Sequence, residues 1–95
     1  MPASGNAVLL AEAEGLDWHM LVSSNVNAAA YAPDFARLYV EFKGGPGRAP
    51  ALYVYHGVPR GVFDGLLSAP SAGRYVFREI RKNGTDSYYA YEQLY

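Results

Sequence analysis

Ninety-five residues with a formal net charge of −1 and no cysteine make one domain and exclude a disulfide frame, a thiolate metal site and a strongly basic nucleic-acid coat. An apolar share of 51% with 18% charged residues is globular composition, not the signature of disorder. His19 and His56 are too few for a histidine-rich metal site, so no cofactor is expected. No apolar run approaches the ~20 residues that span a bilayer. The short "AVLLA" of residues 7–11 is followed by Glu12 and Glu14 and has no basic residue before it. Neither a signal peptide nor a membrane partner is expected, and the default location is cytoplasmic.

Charge is unevenly distributed along the chain. Residues 1–36 hold four acids and no Lys or Arg, residues 37–82 hold all eight Lys and Arg against three acids, and residues 83–95 add two acids. The middle segment is basic enough to meet an anion.

The first twenty residues admit two readings. "AVLLAEAEG" suits a short helix closed by Gly15, since Ala, Leu and Glu are strong helix formers and Gly favours the position after a C-cap; "LDWHMLV" suits a strand. Residues 1–20 are set apart as an N-terminal extension, docked by Trp18, to a single domain over 21–95. "NVNAAAY" reads as a strand ended by the turn residues Pro33 and Asp34. In "ARLYVEFK", Leu38, Val40 and Phe42 alternate with Arg37, Tyr39, Glu41 and Lys43, the period of a half-buried strand. "GGPGRAP" is a loop and "ALYVYH" a returning strand, so residues 37–56 form a hairpin with a long Gly/Pro tip. The period then changes. Pro59 suits the first turn of a helix, with Val62, Phe63, Leu66 and Leu67 as its stripe. Pro70 stops that helix, and Ser71 can cap the next. In the second helix Val76, Phe77 and Ile80 make one face, and Gly84 ends it; "DSYYAYEQLY" closes as a strand. The expected fold is α+β: a small antiparallel sheet, a hairpin meander, with two short C-terminal helices packed on it.

"SSNVNAAAY", "LYVEF", the Tyr53-x-Tyr55 pair, Val58-Pro59 and "LLSAPSAGRYVFREI", in that order, resemble the KTSC domain. That family is named for the C-terminal region of some lysyl-tRNA synthetases and includes stand-alone bacterial and phage proteins. The likeness runs from about Ser23 to Arg81; Tyr53, Tyr55, Val58, Pro59, Ala69, Ser71 and Gly73 together carry it. The resemblance implies RNA as a candidate partner, by way of the synthetase context. The longer "GGPGRAP" tip, residues 1–20 and the tyrosine-rich tail depart from the pattern.

No carboxylate pair, Cys–His pair or metal spacing supports catalysis, so a non-enzymatic binding module is expected. His56 lacks a neighbouring nucleophile and reads as a hydrogen-bonded histidine at a strand end; Ser71 reads as a cap. Arg74, Arg78, Arg81 and Lys82 recur at i, i+4, i+7 and i+8, which puts them on one helix flank, either as phosphate contacts or as a plain solvated face. Tyr53 and Tyr55 share a strand face, either as a stacking platform for bases or as a wall of the core, with Leu52 and Val54 on the other side. Core wall is the favoured reading. Arg48, at the tip apex, can touch a partner. These residues make single-stranded RNA or DNA the first expected partner. A protein-interaction or self-assembly module, pairing as a homo-oligomer through Tyr88, Tyr89, Tyr91 and Tyr95, is the alternative. A binder of small nucleotide ligands ranks third.

Overall fold

In the computed structural model, which describes residues 4–95, one sheet separates two helical layers. The elements in chain order are α1 (Ser4–Glu14), β1 (His19–Met20), β2 (Val26–Ala32), β3 (Arg37–Phe42), β4 (Ala51–Tyr55), α2 (Arg60–Ser68), α3 (Ala72–Tyr75) and β5 (Tyr91–Gln93). A π-helical turn, Val76–Ile80, continues α3, and a 3-10 turn follows at Lys82–Gly84. All five strands pair antiparallel in chain order, so the expected α+β meander is what forms. The β3–β4 hairpin runs from Leu38 opposite Tyr55 to Phe42 opposite Ala51, with residues 43–50 as its exposed tip. Among the described residues, no helix is long and apolar enough to cross a membrane.

One sheet face presents Val26, Ala29, Leu38, Val40 and Tyr55 to Phe63 and Leu66 of α2, Ala72 of α3, and Val76 and Ile80 of the π turn. The other presents Ala30, Ala32, Tyr39, Leu52 and Val54 to Leu9 and Ala13 of α1. Val26 and Ala29 share a face at an odd spacing because the β2–β3 register shifts between Val26 and Ala28, a bulge that flips the parity of the strand.

The alternation of β3 is as expected, but its polar side does not face water. α1 covers it, and Tyr39 is fully buried. A charged network makes that burial possible. The Tyr39 hydroxyl donates to the Glu12 carboxylate at 2.7 Å, with the Leu9 carbonyl 3.2 Å away as a weaker, alternative acceptor. Arg37 donates its fork to both Glu12 oxygens at 2.7 and 2.9 Å. The Arg37 hydrogen bonds hold the Glu12 carboxyl below its usual range, while burial pushes the Tyr39 hydroxyl well up. Trp18 closes the corner: its indole N–H donates to the Ala13 carbonyl at 2.8 Å, and its ring meets Tyr39 edge-on, 6.5 Å between centroids. The N-terminal segment is thereby docked on the sheet, α1 on its second face and β1 at its edge.

On the opposite layer, Pro59 occupies the N-cap of α2 and Ser71 caps α3, its hydroxyl accepting from the Arg74 N–H at 3.3 Å. The Tyr75 hydroxyl donates to the Val62 carbonyl at 2.9 Å and lies against Gly65, where any Cβ would collide. The last helix corrects an expectation. Val76 and Ile80 point inward, but Phe77 is 50% exposed. The wider π turn, closed by Arg81 N–H to the Val76 carbonyl at 2.9 Å, no longer keeps the 3.6-residue phase that groups the three. The Phe77 ring lies over Gly84 instead. The closing strand is also shorter than "DSYYAYEQLY": its regular ladder with β4 covers Tyr91–Gln93, and backbone bonds from Ala90 to His56 and from Leu94 and Tyr95 to Leu52 extend it at the ends.

Candidate nucleic-acid interface

Tyr53 and Tyr55 point to the same side of β4, toward the α2–α3 layer, with Leu52 and Val54 facing α1. Tyr55 is fully buried and Tyr53 half-buried, and their rings stack 6.4 Å apart. Tyr55 is wall; Tyr53 stands at its rim. Two rings from other strands join them. Phe42 meets Tyr53 edge-on at 5.6 Å, and Tyr91 of β5 lies 6.0 Å from both tyrosines. The register that sets Tyr91 opposite Tyr55 puts them on one face.

The basic residues need a correction. A single flank of four cations does not form, because the helix ends at Ile80 and the chain then enters three left-handed residues, Lys82, Asn83 and Gly84, at φ 45°, 56° and 81°. Arg74 and Arg78 stay exposed on the helix. Arg81 folds back onto the sheet, its guanidinium 5.7 Å from the Tyr91 ring centroid. Lys82 stands over Tyr88 at 5.3 Å. Among the described residues none of the four joins an ion pair; those pairs are Arg37–Glu12, His56–Glu92 and Arg60–Asp64.

Arg81 is the most constrained of them. Its Nε and the Tyr55 hydroxyl are both buried without a hydrogen-bond partner. Burial pushes the Tyr55 hydroxyl up to about 12, and the Arg81 charge opposes that shift without the pair meeting hydrogen-bond geometry. Two adjoining clefts lead outward from this point. One, of about 160 Å³, is lined by Phe42, Gly73, Phe77, Arg81 and neighbours; the other, of about 300 Å³, by Ser24, Ser71, Arg74 and neighbours. They share Asn25, Gly73 and Phe77, so they form one band from Arg74 to Arg81. Gly73 is where α3 meets the residue that precedes β2: a Cβ there would strike the Asn25 side-chain amide.

Arg48 lies on the exposed tip beyond the Phe42–Ala51 pair, outside both clefts. His56 is bound at its strand end, Nε2 2.8 Å from Glu92 of β5. Sequence reading missed Phe42 and Phe77 as members of the band, and assigned Tyr91, which lies beside it, to an oligomer contact. Register is the signal for Tyr91: an apolar-aromatic tail pairing with β4 must place every second residue beside Tyr53 or Tyr55.

Comparison with known proteins covers this band. The model of the KTSC domain matches residues 22–83, well over half of the chain. That span includes Tyr53, Tyr55, Arg74, Arg78, Arg81 and Lys82, while Tyr91 lies beyond it. A Tsukamurella paurometabola protein is 46% identical over 54 residues, a stretch covering 57% of this chain and 73% of the relative. The crystal structure of a KTSC domain protein from Yersinia pestis superposes with a TM-score of 0.64 over 83% of this chain and 97% of that one; at 22% identity the likeness is one of fold. On the extent of the match and the shared fold, the chain belongs to the KTSC domain family.

Proposed function

We propose that this chain is a non-enzymatic cytoplasmic module that binds single-stranded RNA or DNA along the band from Arg74 to Arg81 and the Tyr91 ring beside it. One observation carries the reading: a guanidinium, that of Arg81, is held against the half-exposed Tyr91 ring, at the edge of a four-ring cluster and at the end of a groove that begins at Arg74. A base stacked on such a ring gains roughly 1–3 kcal/mol whatever its identity. Arg74, Arg78 and Lys82 are exposed and can meet phosphates. The left-handed Lys82 and Asn83 agree with this, since such strained positions cluster at sites of function. So does the family's place beside a tRNA-charging enzyme.

Fluorescence anisotropy with labelled oligonucleotides tests it. Binding should appear at low salt and fall with salt at a log–log slope of about −2, as for three phosphates on a single strand. Arg74→Ala with Arg78→Ala should weaken binding equally for all sequences. No binding at low salt ends the proposal.

A second reading rests on β5. It is an edge strand of the sheet with Tyr91, Glu92 and Gln93 all exposed, which suits pairing with a second copy or a partner strand. Light scattering on the purified chain separates the two. A dimer that Tyr91→Ala dissolves favours self-assembly.

A further inference from the structure

The other sheet face holds a cavity of different chemistry. It measures about 350 Å³ and opens between α1 and the strands, at the small end of ligand sites, which run from roughly 300 to 1,000 Å³. Leu10, Leu52, Ala28 and Trp18 form apolar walls, and Glu14 and Glu41 supply carboxylates; no Lys, Arg or His is among the lining residues. Arg37, which packs under α1, already gives its fork to Glu12.

Glu41 is held in place. One carboxylate oxygen accepts from the Asn27 side-chain amide at 2.7 Å and the other from the Tyr95 hydroxyl at 2.6 Å. The hydrogen bond to Glu41 leads the causes that push the Tyr95 hydroxyl up to about 12, so Tyr95 stays a donor at neutral pH. Each oxygen keeps acceptor capacity for a further donor. A largely apolar cavity lined by two carboxylates, one of them held by two hydrogen bonds, and by no cation among the described residues is complementary to one kind of molecule.

We propose that this cavity binds a small organic amine, with an aryl or alicyclic body against Leu10, Leu52 and Trp18 and a protonated nitrogen donating to Glu41 and Glu14. The site lies across the sheet from the nucleic-acid band, so the two proposals stand or fall separately.

Trp18 is the single tryptophan of the chain and lines the cavity, so its emission reports occupancy without a label. We would titrate the protein with phenethylamine, phenethyl alcohol and 3-phenylpropionate, which share a ring and differ in charge. The amine should give a saturable change, the alcohol should bind roughly tenfold more weakly, the effect of one charge-assisted hydrogen bond, and the acid should not bind. Glu41→Gln should bring the amine to within a few-fold of the alcohol. Glu14→Gln, at an exposed position with no side-chain bond among the described residues, should weaken the amine a few-fold and leave the alcohol unchanged, and it serves if Glu41→Gln does not fold. The proposal is overturned if the amine gives no saturable change, if all three probes bind alike, or if the folded variants bind the amine as the parent does.

Discussion

The two faces of the sheet are built from the same strands and closed in opposite ways. Toward α2 and α3 the closure is mainly apolar, with the cations held on rings or left in solvent: Arg81 on Tyr91, Lys82 on Tyr88, Arg74 and Arg78 exposed. Toward α1 the core is thinner, and a three-member network, Glu12–Arg37–Tyr39, ties the helix down. A charge asymmetry along the chain becomes a charge asymmetry across the fold. The basic middle of the sequence, Arg37 apart, supplies the cations of one face, and the acidic start supplies Glu12 and Glu14 to the other. Burial energy therefore dominates one side and polar satisfaction the other, so the two should respond differently to the same kind of damage.

Emptying the apolar side should cost most. Leu38 is fully buried against α2 and the π turn, and Leu38→Ala should destabilise by about 2–5 kcal/mol. At 4–8 °C per kcal/mol for a domain of this size, thermal melting should drop by roughly 10 °C or more. A drop of a degree or two would show that this face is not the main core.

Breaking the network side should cost about 2 kcal/mol, since Glu12→Gln removes charge-assisted bonds and leaves Arg37 short of its counter-charge. Hydrogen exchange should quicken in α1 while α2 stays protected; equal loosening of both would contradict the comparison. The pH dependence carries a sign. A carboxyl held below its usual range stabilises the fold above its unfolded value near 4.5 and loses that contribution as pH falls through the folded one. The parent should therefore lose stability on acidification through that window more steeply than Glu12→Gln does.

Tyr91→Ala should leave melting nearly unchanged, the residue being 46% exposed, yet weaken oligonucleotide binding by about 1–2 kcal/mol. The smallest effect is expected at Tyr55→Phe. Its hydroxyl is buried with no partner, so losing it should change stability at neutral pH by less than about 1 kcal/mol, in either direction. A hydroxyl raised from 10 to about 12 stabilises the fold below pH 10 and loses that contribution between pH 10 and 12. Tyr55→Phe should flatten part of the alkaline unfolding over that window.

How far these features can be read from sequence follows the range of the interactions. β3 and β4 are legible because their alternation and the Gly/Pro tip are local, and α2 because Phe63 and Leu66 fall on one stripe. α1 is legible as a helix that stops before Gly15, but not its docked face, since its apolar residues follow no stripe: Val8 is exposed beside buried Leu9. Its position is fixed by Glu12 meeting Arg37 and Tyr39, partners 25 and 27 residues away. The π turn hides for another reason. A 3.6-residue template fits Val76, Phe77 and Ile80 equally well, and only the packed chain shows Phe77 turned out and Arg81 turned in.

Because strand order follows chain order, each β-hairpin can zip onto the one before it during synthesis, with little loop entropy to overcome. β5 is the exception. Thirty-five residues separate it from β4, and it brings Tyr91 with it. β5 therefore joins a nearly finished sheet whose ring cluster still lacks one member, and that docking step is where a folding chain would be slowest and most exposed to misassembly.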